Sequence, residues 1–164
     1  MWVTVMLIAL TALAGCSGND KTEQKQDEPQ PACNEIIDKI LETVDDTHND
    51  SRTSYGEELY SDYFETLYDA DMEDVSDGAF AYASASYADE ITVVRMKSSG
   101  DTVKFKEKLE ERIERRKQDF NGYKPKEVEK LENARTAVCG NYVIMAVGDR
   151  AQDITDTFME ILGD

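Results

Sequence analysis

The chain has 164 residues, which is enough for one ordinary domain with a single core. Its 35 acidic residues outnumber its 18 basic residues and give a formal net charge of -17. A surface of this charge repels nucleic acid and anionic lipid headgroups, which excludes nucleic-acid binding as a function. Cationic partners, metal ions and simple solubility remain compatible with it.

The first fifteen residues, MWVTVMLIALTALAG, form an apolar segment without a charged side chain. A membrane-spanning helix needs about 20 apolar residues, so this segment is too short to span a bilayer but suits the apolar region of a signal peptide. It ends in Leu13-Ala14-Gly15-Cys16, which resembles the lipobox cut by lipoprotein signal peptidase. We therefore expect residues 1–15 to be removed and the Cys16 thiol to carry a diacylglyceryl anchor in the lipid bilayer.

No Lys or Arg precedes the apolar run, whereas signal peptides ordinarily begin with a positive charge. Either the Met1 amine supplies this charge, or the true start lies a few residues upstream. The residues that follow Cys16 are mostly Lys, Gln, Glu and Asp with two prolines, and none could join a core. We expect residues 16–31 to form a lipidated, flexible tether and residues 32–164 to form one α+β domain.

Two helices are predicted at the start of this domain. Apolar residues at helical spacing predict a helix over Asn34–Val44, with Asn34 as its cap. Residues 45–54 are polar and predict a loop. A broad apolar and aromatic face then predicts a second helix over Glu57–Tyr68.

A β-hairpin and a long helix are predicted next. Asp77-Gly78 is a turn signal, and alternation of small residues with larger ones predicts a strand over Ala79–Tyr87. The β-branched segment Ile91–Met96 suits the returning strand. A long helix over Asp101–Phe120 and a short helix from Pro125 follow.

A second hairpin and a final helix complete the pattern. The hairpin pairs Arg135–Cys139 with Tyr142–Val147 around Gly140-Asn141, which suits a type II′ turn, and the helix covers Ala151–Leu162. The order strand, strand, helix thus occurs twice. It predicts an α+β fold in which a four-stranded antiparallel sheet of two β-hairpins carries helices on one face and is preceded by N-terminal helices.

Several groups of residues stand in a characteristic order. They are Ala88-Asp89-Glu90-Ile91, Arg112 with Ile113, Phe120 with Tyr123 and Pro125, Leu131-Glu132-Asn133-Ala134, and Gly140-Asn141-Tyr142-Val143. In this order they resemble the domain of unknown function 4358 family, small lipoproteins found largely in Gram-positive anaerobes of the gut. The resemblance implies a location on the outer face of a Gram-positive plasma membrane, and it implies no activity, cofactor or catalytic residue.

The segment around residue 70 is the candidate metal site. Asp69, Asp71, Glu73 and Asp74 place oxygen ligands as the start of a calcium loop does. The loop's sixth position is Asp74 instead of Gly, and its twelfth is Phe80 instead of Glu. These residues are therefore weak metal candidates, and an acidic loop is the favoured interpretation.

Two cysteines remain once Cys16 is lipidated. Outside the membrane a disulfide between Cys33 and Cys139 is chemically permitted, and two separate thiols are equally ordinary.

The segment from Lys104 to Lys130 is basic, with ten basic and seven acidic residues. We interpret it as a solvated helix with charge pairs four residues apart, or as a basic strip that docks on the acidic segment Asp38–Asp77 or on a wall polymer.

The residues available for catalysis are few. His48 is the single histidine, and metal or redox motifs of the types His-Glu-x-x-His and Cys-x-x-Cys do not occur, so no catalytic residue or cofactor is predicted. The sequence favours a non-enzymatic binding or accessory module at the cell envelope, whose partner is an envelope protein or polymer. The alternative is a carboxylate-dependent hydrolase acting on an envelope or extracellular substrate, which would need two close carboxylates with raised pKa values.

The lipid anchor can be tested directly. Because the thioether forms on the Cys16 thiol, Cys16→Ala should leave the chain unlipidated and either unprocessed or released from the membrane. Metabolic labelling with a fatty acid, followed by fractionation, measures both properties. Label that persists on the variant would contradict the prediction.

Overall fold

The structure, a computed structural model, describes residues 30–44 and 48–163. The signal peptide, Cys16 and all but the last two residues of the predicted tether lie outside the described residues. Within them, no helix is long and apolar enough to cross a membrane. In chain order the elements are α1 (Cys33–Thr43), β1 (Ser51–Ser54), α2 (Tyr60–Tyr68), a 3₁₀ turn (Met72–Asp74), β2 (Val75–Tyr82), β3 (Glu90–Met96), α3 (Thr102–Phe120), α4 (Pro125–Glu132), β4 (Arg135–Cys139), β5 (Tyr142–Val147) and α5 (Ala151–Leu162).

The five strands form one antiparallel sheet in the order β1-β2-β3-β5-β4. The predicted α+β class and antiparallel sheet are confirmed, whereas the predicted number of four strands is wrong. The additional strand, β1, lies in the segment predicted as a loop. It has four residues and only Thr53 among them is buried, so a short edge strand of this kind has no apolar alternation that a sequence pattern could reveal.

Helices cover both faces of the sheet, so the prediction of helices on one face is wrong. Helices α2, α3 and α4 pack on one face, and α1 and α5 pack on the other. The reason lies in the central strands. All six residues of β5 are buried, and so are all those of β3 except Arg95. A strand that is apolar on both sides needs cover on both sides.

The small residues of β2 allow the helices to approach closely. Ala79 and Ala81 face the isoleucines of α1, and Phe80 points to the opposite core beside α2 and α3. Gly78 lies inside β2, where a Cβ atom would stand 1.8 Å from the Tyr60 hydroxyl oxygen. The predicted turn at Asp77-Gly78 is therefore wrong: this glycine is needed because a buried aromatic ring lies against the strand.

The beginning of α1 is bonded to one end of the sheet. The Cys33 N–H donates to Asp77 Oδ2 in β2 at 2.8 Å, and the Pro31 carbonyl accepts from the Tyr142 hydroxyl in β5 at 2.7 Å. The residue before the helix is Ala32, so the predicted capping role of Asn34 is wrong. Asp77 supplies the acceptor that a local capping side chain ordinarily provides.

The second half of the chain follows the prediction closely. The hairpin strands β4 and β5 and helix α5 have the predicted bounds. Gly140 has a φ of +56° at the turn, as a type II′ turn requires at its first central residue. The two strand-strand-helix units nevertheless place α3 and α5 on opposite faces of the sheet, so their similarity is not an internal symmetry.

The contact between Gly78 and Tyr60 gives a stability prediction. Gly78→Ala should lower the free energy of unfolding by about 2 kcal/mol, because its Cβ overlaps the Tyr60 hydroxyl in a packed core. Tyr60→Phe should be close to neutral, since this buried hydroxyl has no hydrogen-bond partner among the described residues. In urea denaturation the double variant should recover part of the loss. A double variant less stable than Gly78→Ala would contradict this account.

Candidate functional site

A buried ion pair lies where β3 begins. Glu90, the first residue of β3, and Arg112, in the middle of α3, are 3% and 7% exposed. Arg112 Nε donates to Glu90 Oε1 at 2.8 Å, and Arg112 Nη2 donates to Glu90 Oε2 at 2.6 Å. The guanidinium thus binds both oxygens of the carboxylate, which is the strongest geometry available to such a pair. The pair fastens α3 to a central strand of the sheet.

Two neutral side chains complete the surroundings of Glu90. The Tyr68 hydroxyl, from α2, donates to Glu90 Oε1 at 2.8 Å and lies 2.7 Å from Thr92 Oγ1. The Arg112 guanidinium also lies over the Tyr68 ring, 5.4 Å from its centroid. Side chains of α2, β3 and α3 therefore meet in one polar network within the apolar core.

The charge state of this network follows from its contacts. Burial by itself raises the pKa of Glu90, but the Arg112 charge and the hydrogen bonds from Arg112 and Tyr68 outweigh burial and leave the pKa below its ordinary value. Burial, together with the neighbouring Glu90 carboxylate, raises the pKa of Tyr68. Glu90 is therefore ionised at neutral pH. The general acid of a carboxylate-dependent hydrolase needs a raised pKa, whereas the pKa of Glu90 is lowered. Glu90 therefore does not favour the hydrolase alternative.

A second polar cluster joins the residues before β3 to α4. Lys130 Nζ lies 2.8 Å from Asp89 Oδ2 and 3.8 Å from Glu127 Oε2, and the latter oxygen accepts the Ala88 N–H at 2.8 Å. Burial lowers the pKa of Lys130, but its bond to the Asp89 carboxylate outweighs burial and raises it. The ammonium group is thus held charged beside two carboxylates. This cluster fixes the loop before β3 onto α4.

The candidate metal residues lie in and before the 3₁₀ turn. Asp69 has a left-handed backbone with a φ of +50°, and its Oδ2 lies 3.3 Å from Lys108 Nζ. Asp71 Oδ1 accepts the Glu73 N–H at 2.8 Å and so begins the turn. Across residues 30–44 and 48–163, no group of three or more acidic, histidine or cysteine side chains is arranged to hold a metal ion. The segment forms an acidic loop with a local capping bond, and metal binding by its four candidate residues stays a prediction that the structure does not test.

The remaining candidates lie apart from the buried network. Cys33 is buried at the start of α1, where burial and then the neighbouring Asp77 carboxylate raise the pKa of its thiol. Cys139 is half-buried at the end of β4 and packs against the same core cluster as Cys33. No disulfide joins these two residues in the described part of the chain, and their pairing stays a prediction. His48 is exposed and stacks on the Tyr87 ring with 4.2 Å between centroids.

The predicted basic strip of α3 is engaged within the domain. Arg115 Nη2 donates to the Leu67 carbonyl at 2.7 Å, and Arg116 Nη2 donates to the Tyr87 carbonyl at 2.8 Å. Lys117 Nζ pairs with Glu114 at 2.6 Å, three residues earlier on the helix. Arg115 and Arg116 therefore hold α3 to α2 and to the loop before β3, and the Leu67 contact lies within the acidic segment that was the predicted docking site.

Three large side chains with apolar surface are exposed around the start of α2, near the β1 edge of the sheet. Tyr55, Leu59 and Tyr63, four residues apart, are 45%, 53% and 38% exposed, and we call them the aromatic patch. The Tyr63 ring meets the Tyr82 ring edge-on at 6.2 Å. Leu59, Tyr63 and Tyr82 line a shallow cleft of about 410 Å³ that also includes β1 residues. The patch gives this part of the surface an apolar area of the kind used in binding.

The chain matches one known protein family. The family model described as Domain of unknown function (DUF4358) matches residues 54–148, which is more than half of the chain. The chain belongs to this family. No curated protein and no solved structure matches it. The matched segment contains the Glu90–Arg112 network, the Asp89–Lys130 cluster and the aromatic patch.

Two charged residues at positions where the sequence pattern predicts apolar ones could have revealed the buried network. Arg112 occupies the inward stripe of α3 between Leu109 and Ile113, where an apolar residue is expected. Glu90 begins a run of β-branched residues that forms a buried strand. A charged residue in each of two apolar patterns indicates a buried pair, since either charge alone would be costly to bury.

This network gives a prediction that combines mutation and pH. Arg112→Met should lower the free energy of unfolding at pH 7 by about 3–5 kcal/mol, because it leaves the Glu90 carboxylate buried without its cation. Glu90→Gln with Arg112→Met should cost clearly less than the sum of the two single changes. Urea denaturation of the four proteins measures the coupling. Additive losses would contradict a direct interaction.

The same proteins give an acid-stability prediction. The pKa of Glu90 in the folded protein lies below its ordinary value of 4.5, so its contribution to stability is present above that value and is lost as the pH falls through the folded pKa. Between pH 7 and strongly acidic pH, the wild type should therefore lose more stability than the double variant. Parallel acid profiles for both proteins would show that Glu90 does not contribute in this way.

Proposed function

We propose that the chain is a non-enzymatic binding or accessory module, held by a lipid on Cys16 at the outer face of a Gram-positive plasma membrane. The lipobox before Cys16 supports the anchor, and the compartment is the one implied by the family resemblance. The observation that carries the binding role is the aromatic patch of Tyr55, Leu59 and Tyr63. Its partner is an envelope protein or polymer, and the net charge of -17 disfavours nucleic acid.

The aromatic patch is supported by a rigid base. Tyr60, Phe64 and Tyr68 lie on the inner side of α2 and are at most 1% exposed. They form ring contacts with each other and with Phe80, with centroids 5.0 to 5.8 Å apart. Tyr63 therefore stands on a helix that is fixed by packing, and Leu59 directly precedes this helix. Tyr55 lies in the turn before it, with its ring edge-on to the Tyr60 ring at 5.8 Å. Tyrosine on such a base provides a large contact area with little loss of rotamer entropy on binding.

The predicted tether determines how far this surface can reach. The predicted tether has fourteen residues between Cys16 and Pro31, the first residue bonded to the sheet, and would span roughly 50 Å when extended. The domain can thus contact partners that stand off the membrane while its lipid remains in the bilayer. A binding module needs this freedom, because its patch must turn to meet a fixed partner.

The proposal is tested with the lipidated protein from its own membranes. After mild detergent extraction, a wild type bound to its partner should migrate on a native gel above its monomer mass. Changing Tyr55, Leu59 and Tyr63 together to Ser should return it to the monomer position, because the patch is removed while the packed side of α2 is unchanged. Circular dichroism checks that the variant is folded.

Val103→Ser with Tyr123→Ser is the matched control. These two residues are 62% and 60% exposed and lie outside the aromatic patch, so the control removes comparable apolar surface elsewhere. It should migrate like the wild type. A wild type that migrates as a monomer, or a patch variant that keeps the high-mass form, would contradict the proposed function.

A further inference from the structure

The two edge strands of the sheet, β1 and β4, differ in the use of their outward backbone groups. In an antiparallel pair, successive residues of a strand bond alternately to one side and to the other. The Asn141 carbonyl accepts the Met96 N–H at 2.9 Å, so the odd-numbered residues Val143 and Met145 bond to β3. The even-numbered residues of β5 therefore bond to β4. By the register of this pair, they bond to Arg135, Ala137 and Cys139.

The β1 edge is closed at its Ser54 end by Glu57. The Tyr55 N–H donates to the Gly78 carbonyl at 2.7 Å, so the backbone groups of Ser54 point away from β2. Glu57 binds both of them: its Oε2 accepts the Ser54 N–H at 3.2 Å, and its own N–H donates to the Ser54 carbonyl at 3.0 Å. A strand added at this end of β1 would have to displace Glu57.

The β4 edge is open by the same criterion. Because Arg135, Ala137 and Cys139 bond to β5, the N–H and carbonyl groups of Thr136 and Val138 point to the free edge. Within the described residues, no hydrogen bond engages these four backbone groups. An open edge of this kind is a template for pairing with another extended chain.

A groove of about 800 Å³ runs beside this edge, between β4, α3 and α4. Buried or half-buried Ile113, Leu131 and Ala134 form its apolar floor. Its rim carries five exposed carboxylates and two cationic side chains; these residues are Glu107, Glu110, Glu111, Glu114 and Glu132, with Arg115 and Lys117. Glu110, Glu111 and Glu114 pair with lysines of α3, whereas Glu107 and Glu132 have no ion pair among the described residues. The groove therefore favours a ligand with apolar and cationic groups.

We propose that the β4 edge binds an extended, lysine-rich segment of another polypeptide by strand addition. The segment pairs antiparallel with β4 through the backbone groups of Thr136 and Val138, in the sense of every other pair in the sheet. A residue directly opposite Thr136 or Val138 places its side chain on the α3 side, as those two residues do, and so lies over the acidic groove. Lysines at alternate positions are therefore attracted to the groove, where Glu107 and Glu132 are the carboxylates without an ion pair among the described residues. This surface is separate from the aromatic patch, so the inference goes beyond the proposed function.

The test uses the full exported chain and a fluorescent synthetic peptide of alternating Lys and Val, measured by fluorescence anisotropy at fixed salt. Two further peptides carry N-methyl groups, on the lysines only or on the valines only, which leaves the charge unchanged. In antiparallel addition the amides that face β4 belong to the lysines. Methylation of the lysines should thus weaken binding at least about tenfold, and methylation of the valines should be tolerated.

Variants of the protein test the same contact from its other side. Thr136→Pro removes an outward N–H without removing a bond between β4 and β5, and should weaken peptide binding about tenfold. Thr136→Ala removes only the hydroxyl that bonds Glu110 and should stay within about twofold of the wild type. Glu107→Lys with Glu132→Lys should also weaken binding about tenfold, whereas Glu42→Lys with Glu58→Lys, an equal charge change at exposed positions away from the groove, should have a small effect.

The inference is overturned if the peptide does not bind, if the two methylated peptides bind equally, or if both charge-reversed proteins lose affinity alike. The last result would show attraction to the overall charge of the chain. None of these outcomes changes the expected result of the native-gel test of the aromatic patch. A failure of the strand-addition proposal is therefore distinguishable from a failure of the proposed function.

Discussion

The structure depends on a sheet whose central strands are buried on both sides. Strands β3 and β5 carry apolar residues toward each face, so neither face can remain in water. Two separate cores result: one lies under α2, α3 and α4, and the other under α1 and α5. The alanines of β2 and Gly78 follow from this arrangement, because helices on both sides leave little depth for side chains in a strand between them.

The Glu90–Arg112 pair has a particular effect in such a sheet. Since β3 is apolar on both faces, hydrophobicity alone distinguishes poorly between its correct register and one shifted by a single residue. Glu90 removes this ambiguity, because its carboxylate finds a cation and two hydroxyl groups only on the α3 side. A shifted strand would place the carboxylate in the apolar core beside α1 and α5. A buried charge that adds little net stability can in this way select one pairing of the strands.

The parts of the fold that sequence could predict are those with strong local signals. The hairpin around Gly140-Asn141 and helix α5 have a specific turn and a clear apolar stripe, and both were predicted with their bounds. Strand β1 has no such signal, because its pairing partner alone makes it a strand. Gly78 is required by its contact with Tyr60, which precedes it by eighteen residues. A local sequence pattern contains no information on such a contact, so the glycine was wrongly predicted to form a turn. Which face each helix covers is also decided by tertiary packing.

The candidate surfaces divide in the same manner. The acidic loop, His48 and the two cysteines were visible as residue types, but their positions relative to one another depend on the fold. Leu59 and Tyr63 of the aromatic patch were predicted on one broad apolar face of the second helix, whereas Tyr55 lay outside the predicted helix. The structure buries Tyr60 and Phe64 of that face and leaves Leu59 and Tyr63 exposed. A helix with apolar groups around most of its circumference does not reveal which of them meet solvent.

The bonds that hold the start of α1 determine how this domain would respond to mechanical force. A pull on the chain from its N-terminal side arrives first at Pro31, whose carbonyl is bonded to Tyr142 in β5, and then at Cys33, whose N–H is bonded to Asp77 in β2. Load is therefore passed into two non-adjacent strands of the sheet before it can unwind the first turn of α1. The sheet shares the tension across its width, and the hydrophobic contact of α1 with β2 and β3 is loaded only after these two bonds have broken.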